Sequence, residues 1–237
     1  MDKEYENKYH QIEQNYWWFV ARWDIIKRLI KEYQKEAKIL EMGCSAGLLI
    51  KELHDSGFTD IHGIDISKDA IKIAKEKGIK NIEVSDAAKT KFKNKTFDVI
   101  IASDILEHIQ DDHKTIFEWK RLLKENGTLI IFVPAFMSLW SKHDEVNKHF
   151  KRYKNKELIE LAERDFNIIK KGYWNFSLFF PMFVLRKLKK KENDDLYNTG
   201  NLVNKLLLKL LTLENYFIEK GLSFPVGVST FVVAKLK

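Results

Sequence analysis

At 237 residues, with 45% hydrophobic and 32% charged residues, the chain is long enough to bury one full α/β core with decorations and is neither disordered nor fibrous in composition. Its formal net charge of +7 suits nucleic acid, an anionic membrane or acidic substrates, and equally a lysine-rich surface that only keeps the protein dissolved. The one cysteine, Cys44, excludes a disulfide framework and a thiolate metal site; the charged opening MDKEYENKYH does not read as a signal peptide, and no apolar run reaches membrane-spanning length, so the cytoplasm is the default location.

Residues 1–37 read as helical, because Ile12, Tyr16, Phe19, Ile25, Ile26 and Leu29 recur near a helical period with charges between them. The cluster Tyr16-Trp17-Trp18-Phe19 is unusual, and Arg22 lies one turn after Trp18. Two readings stay open. The aromatics dock the helix onto a sheet, or the helix is a lid whose Arg22 pairs a ligand carboxylate.

The stretch Lys38–Ile50, KILEMGCSAGLLI, organises the rest of the chain. A short apolar strand ends in Glu41, a turn of small residues runs from Gly43 to Gly47, and an amphipathic helix (about 46–56) begins. Small residues let a ligand meet bare backbone, and amides at a helix N-terminus favour anionic groups. As a dinucleotide turn G-x-G-x-x-G the fit is poor, since Ser45 and Leu48 replace the second and third glycines. Gly43-Cys44-Ser45-Ala46-Gly47 satisfies the hydrolase pattern G-x-S-x-G literally. Only about forty residues precede Ser45, however, too few for the strands and oxyanion loop before a nucleophile elbow.

The remaining pattern, acid-x-Gly-x-Gly-x-Gly, is met by Glu41, Gly43 and Gly47, with Ser45 for the middle glycine. Here the chain resembles the class I S-adenosylmethionine-dependent methyltransferases, in the broad small-molecule branch that carries a "methyltransferase type 11" domain. Serine is tolerated at that place if its φ is negative. The resemblance implies S-adenosylmethionine as cofactor and S-adenosylhomocysteine as product, and it favours the lid reading of Trp18 and Arg22.

Asp60–Ser67 reads as a second strand ending in Asp65, a little over twenty residues past the turn, where a carboxylate can accept both ribose hydroxyls; Ile66 comes directly after it. Ser67 reads as the N-cap of a helix that ends near Gly78. A third strand over 81–85 leads to Asp86-Ala87, where the resemblance implies an acid holding the adenine amino group. The fourth strand, Phe97–Ala102, runs into Ser103-Asp104-Ile105-Leu106-Glu107-His108. Small-molecule members of the family carry a similar L-E-H segment facing the active site. The Asn/Asp-Pro-Pro-aromatic stretch common in methylases of base amines is missing, and a C5-methylating cysteine is excluded because Cys44 lies in the turn. His108 reads either as a general base or as a histidine that only shapes the pocket.

A helix over Asp112–Lys124, stopped by Asn126-Gly127, leads to a fifth strand, Thr128–Val133, ended by Pro134. The loop after Pro134 gathers Trp140, His143, Asp144, His149, Arg152 and Tyr153. One reading has it line the acceptor pocket, with His143 or His149 orienting or deprotonating a hydroxyl; another has it as a hydrogen-bonded surface loop before a helix over 155–164. A metal on His143, Asp144 and His149 is formally available, but no metal is expected, because the resembling family rarely uses one. Phe166–Phe176 reads as a sixth strand and Gly227–Lys235 as a seventh. Between them lie an apolar stretch, 176–185, with the basic flank 186–191, a polar segment 192–201, and a helix over Leu202–Phe217. Ten apolar residues cannot span a bilayer. They can touch an anionic membrane surface, admit a greasy substrate, or pack on the next helix.

The expected fold is therefore Rossmann-like: a doubly wound, seven-stranded, mostly parallel sheet with a late antiparallel strand and a C-terminal helical insertion. One domain over 1–237 is expected, with a helical lid (1–37), a cofactor core (38–135) and an acceptor-side half (136–237) whose insertion covers about 177–221. The expected cofactor site is Glu41, Gly43, Cys44, Ser45, Gly47, Asp65, Ile66, Asp86, Ala87 and Ser103, with Trp18 and Arg22. Glu107, His108, His143 and His149 are the catalytic candidates. The acceptor is read as a small or lipid-linked molecule, with peripheral membrane contact open; no nucleic-acid partner is expected, since no recognition module is visible. RNA or protein methylation, or a module that senses the cofactor without turnover, is the alternative. The oligomeric state is not legible.

Overall fold

The computed structural model describes residues 12–188 and 200–237. The strands are β1 (Ile39–Met42), β2 (Ile61–Asp65), β3 (Ile82–Val84), β4 (Phe97–Ser103), β5 (Leu123–Pro134), β6 (Phe166–Trp174) and β7 (Ser229–Leu236). They form one sheet in the order β3-β2-β1-β4-β5-β7-β6. Neighbours from β3 to β5 are parallel, and β7 runs antiparallel to both β5 and β6. The chain winds outward from β1 in one direction and then restarts at β4 in the other. Beyond the carboxyl ends of β1 and β4 this leaves the crevice in which doubly wound sheets bind ligands.

The central strands are apolar at consecutive positions because helices cover both faces. Ile39, Ile101, Ile130, Phe132 and Val233 point into one buried cluster, while Leu40, Ile100, Leu129, Ile131 and Val232 point into another. Helix α1 (Trp17–Ile30), α2 (Leu48–Asp55) and α3 (Lys68–Glu76) pack on the first face; α4 (Asp112–Leu122) and α6 (Asn155–Ala162) pack on the second. The short α5 (Lys142–Val146) lies in the loop after β5, and α7 (Phe179–Leu188) and α8 (Asn201–Glu219) lie between β6 and β7. The expected Ser67 cap is present, its hydroxyl accepting from the Ala70 amide at 3.1 Å.

Three expectations change. Strand β5 begins at Leu123, not Thr128, because Leu123 already pairs with Phe97. Asn126, at φ 61°, and Gly127 then belong to an irregularity inside the strand before Thr128 rejoins opposite Val99. Strand β6 ends at Trp174, two residues early, where Asn175 turns left-handed at φ 62°. In the N-terminal segment the helix proper starts at Trp17; the part of the helical expectation over 1–11 lies outside the described residues, as do 189–191 of the basic run and most of the polar segment after it.

Helix α1 is held by α8. The Asn215 amide donates to the Ala21 carbonyl at 2.8 Å and to Asp24 at 2.9 Å, and its oxygen accepts from Trp174 Nε1 at 2.7 Å. A buried side chain with its donors and acceptor all engaged fixes the position of the elements it joins.

Candidate active site

Turn 43–47 leaves β1 through alternating left-handed residues: Gly43 at φ 73°, Ser45 at 48° and Gly47 at 75°. The expected negative φ at Ser45 is thus corrected. Gly43 and Cys44 both donate to the Ile64 carbonyl, at 2.8 and 2.9 Å, which lashes the turn to the end of β2. That bond pattern forces the backbone to bend at Ser45, and the bend is kept although serine is strained there. Left-handed residues alternating along a turn make concave backbone that receives polar ligand groups. At Gly63 a Cβ would meet Cys44 Sγ at 2.8 Å and Ile50 Cδ1 at 2.5 Å, so only glycine lets turn and helix seat on β2. The Cys44 side chain is 2% exposed in this packing, and burial first, then Glu41, pushes its thiol far above its usual range. Its side chain faces the core and not the crevice.

Asp65 reaches the same turn. One carboxylate oxygen accepts from the Ser45 amide at 2.9 Å, the other from the Ser67 amide at 2.8 Å. Next to it Ile66 is 75% exposed, an apolar side chain held out at the carboxyl edge of the sheet. Asp86 lies two residues past Val84, which pairs with Asp65; it is exposed, and it accepts from the Ala88 amide at 2.8 Å. Ala87 is buried, its carbonyl taking the Trp119 Nε1 bond at 2.9 Å. Ser103 closes β4, with its hydroxyl on Asp104 at 2.9 Å. Glu41 is 7% exposed and its Oε2 meets no hydrogen-bond donor. Burial first, then Glu13 and Asp65, drive its carboxyl well above the usual range. A molecule with a cationic portion among these acids would relieve that cost. S-adenosylmethionine, with an ammonium, a sulfonium and a flat aromatic base whose face can lie on an apolar side chain, fits this turn, these acids and exposed Ile66.

Arg22 is 2% exposed. Its guanidinium donates to Ser229 Oγ at 2.9 Å, lies 3.5 Å from Asp104, and is enclosed by the Trp18, Phe132 and Trp174 rings at 4.8, 4.3 and 4.2 Å. Arg22 is thus a buried cation carried on α1, packed on aromatics and set against the ends of β4, β5 and β7.

Beyond β4 a second group forms. Glu107 is 1% exposed and neither carboxylate oxygen finds a donor. Burial first, then Asp104, raise its carboxyl well above the normal range. Burial, with His149 nearby, pushes His108 down to about 3, which keeps its ring neutral and makes it a weak base at neutral pH. The His108 and His149 rings meet edge to face at 4.6 Å, and His143 stands 6.0 Å from His149. His149 Nδ1 lies 2.8 Å from Asp144 Oδ1. Asp144 is fully buried and takes Arg152 through Nε at 2.8 Å and Nη2 at 3.0 Å. Burial alone would raise its carboxyl, but the His149 bond and Arg152 hold it far below the ordinary range. Asp144 therefore serves its neighbours and is not an available ligand for a metal on His143, Asp144 and His149.

Several residues here carried no sequence signal. Asp104 (φ 57°), Phe136 (φ 57°) and Asn175 (φ 62°) turn left-handed just past the carboxyl ends of β4, β5 and β6. Such strain gathers at functional edges. Phe136 stacks on Tyr173 at 4.9 Å and meets Phe179 edge-on at 5.5 Å, so α7 closes on the loop after β5. Arg186 of α7 also donates to the Leu139 carbonyl. Glu13, buried beside Glu41 and Asp65, was likewise invisible in sequence.

Against known proteins, the methyltransferase domain family matches residues 40–131. An uncharacterised protein of Methanocaldococcus jannaschii is 29% identical over 73% of this chain and 83% of its own length. A ubiquinone biosynthesis O-methyltransferase of Glaesserella parasuis is 31% identical over 63% of this chain, and the match spans 61% of that protein. Among solved structures, a SAM-dependent methyltransferase from Archaeoglobus fulgidus superposes with a TM-score of 0.61 at 19% identity, covering 96% of this chain and 99% of the other. At that identity the likeness speaks for the fold.

Proposed function

The chain belongs to the class I S-adenosylmethionine-dependent methyltransferases, and from that premise we propose that it methylates a small or lipid-linked acceptor held between the loop after β5 and helix α7. The cofactor supplies an already electrophilic methyl group, so the protein's work is placement, charge complement and exclusion of water. The Gly43–Gly47 turn and Glu41 receive the methionine end, Asp65 the ribose, and Asp86 with Ile66 the adenine. Glu107, His108 and His149, with His143 beside them, border the place of the acceptor atom, and Asp144 behind His149 sets that ring's orientation.

The observation that carries the acceptor reading is the apolar wall next to these polar groups. Phe136 stacks on Tyr173 there and meets Phe179 edge-on, while Phe180, Val184 and Leu185 of α7 are 61%, 51% and 48% exposed. Helix α8 likewise exposes Leu202, Leu206 and Leu213, among lysines such as Lys205 and Lys209. That mixture suits peripheral contact with an anionic lipid surface, from which a greasy acceptor would be drawn. No helix among the described residues is long and apolar enough to cross a membrane. A ubiquinone O-methyltransferase among the relatives fits an apolar, hydroxyl-bearing acceptor.

The test is methyl transfer from labelled cofactor to separated lipid, RNA and protein fractions of a cell extract. Label in the lipid fraction, lost in Asp65→Ala, is the expected result. Label in RNA or protein overturns the acceptor assignment. Tight cofactor binding with no label anywhere favours the sensing module.

A further inference from the structure

We propose that Glu107, His108 and His149 bind one divalent transition-metal cation. One candidate ligand atom from each lies within 4.8 Å of the others. Bonds of about 2.0–2.2 Å from a shared cation require only a modest closing of that spread. Glu107 supplies an independent reason. It is 1% exposed with both oxygens lacking a donor, and a buried carboxylate without donor or cation is costly to retain. A cation at the two imidazoles compensates it.

The histidines are prepared for this. His149 Nδ1 is engaged by Asp144 at 2.8 Å, which leaves Nε2 as the ligating nitrogen. Asp144 is fixed in turn by Arg152 and by the Ser141 amide at 2.8 Å. A carboxylate behind an imidazole is how metal sites set ring orientation and ligand basicity. The His108 ring is held by the backbone of Asn147. Two imidazoles and one carboxylate suit zinc, iron(II) or a neighbouring transition metal over calcium or magnesium, which take oxygen ligands. Three protein ligands leave a coordination position open. The acceptor oxygen would bind there and become more acidic; that last role rests on the methyl-transfer reading, whereas cation binding does not.

The test uses the full chain stripped by a chelator, titrated with zinc chloride by calorimetry and with cobalt(II) by visible absorption. One equivalent of zinc is expected, and cobalt bands of nitrogen–oxygen coordination. Glu107→Gln and His149→Ala should each weaken zinc binding by at least about 100-fold, since losing a supporting outer group alone costs 10–100-fold. His54→Ala, at an exposed histidine, should bind as the parent does. If a variant fails to fold by circular dichroism, the parent's cobalt spectrum decides, and a hydrated-cobalt spectrum overturns the site. So does equal zinc binding in folded Glu107→Gln and His149→Ala, or none in the parent. Cofactor titration in the same preparations separates the two proposals: binding of S-adenosylmethionine without zinc removes the cation site only, and zinc without S-adenosylmethionine removes the cofactor reading only.

Discussion

Ser45 sits at φ 48° between two glycines at 73° and 75°, in a region that costs a side-chain-bearing residue about 1–2 kcal/mol. Glycine there would remove that strain but give the unfolded chain more freedom, a loss of about 0.4–1 kcal/mol. Ser45→Gly is therefore expected to raise stability by about 0.5 kcal/mol, read as a higher denaturant midpoint at unchanged slope. A lower midpoint would show that the serine side chain contributes more than its backbone costs. At the same scale, the roles of Glu41 and Glu107 differ in what surrounds them. Glu41 shares its space with Glu13 and Asp65, which under the proposed function would meet a cationic ligand group, while Glu107 faces two imidazoles, where the proposed cation would sit.

Helix α8 shows how an insertion helps to define a site it does not enter. Through Asn215 it fixes α1 and β6, and through Glu214, whose carboxylate accepts from the Phe176 and Ser177 amides at 2.9 and 3.2 Å, it caps the approach to α7. At its last residue Glu219 lies against the helix dipole, a cost offset by Arg28 Nη1 and Lys31 Nζ at 2.6 and 2.5 Å. Those two bonds, first Lys31 and then Arg28, lower the Glu219 carboxyl to about 2. Because this folded value lies below the unfolded one of about 4.3, the contribution is complete above pH ~5 and is lost as pH falls toward 2. Solvent screening keeps it to about 1 kcal/mol or less. Glu219→Gln should thus trail the parent in stability at neutral pH, with the gap closing between about pH 5 and 2. A gap independent of pH would mean that the two cations do not act through this carboxylate.

For the molecule as a whole, a ligand that binds only the folded state must stabilise it, by about 2.7 kcal/mol at one hundred times its dissociation constant. S-adenosylmethionine should therefore raise the melting temperature of the parent, and Asp65→Ala should lose most of that shift. The comparison is made within each variant, because Asp65 also ties the Ser45 and Ser67 amides. An undiminished shift in Asp65→Ala would remove Asp65 from the cofactor site.

What the sequence by itself determined was the local grammar: the strand–turn–helix at Lys38–Ile50, the acid closing β2, the Ser67 cap, and apolar runs long enough to require helices on both faces of a sheet. Each is written in neighbouring residues, through period, small size or hydrogen-bonding type, and so could be read without a partner. Tertiary structure decided what depends on distant residues. Arg22 became a core cation because Phe132, Trp174 and Ser229, more than a hundred positions away, enclose it. Asp144 became a support because Arg152 and His149 both turn inward to it, and Glu107 met His149 across more than forty residues. Burial, which raises the Glu107 carboxyl and encloses Arg22 and Asp144, is a property of the packed whole, and no stretch of chain carries it alone.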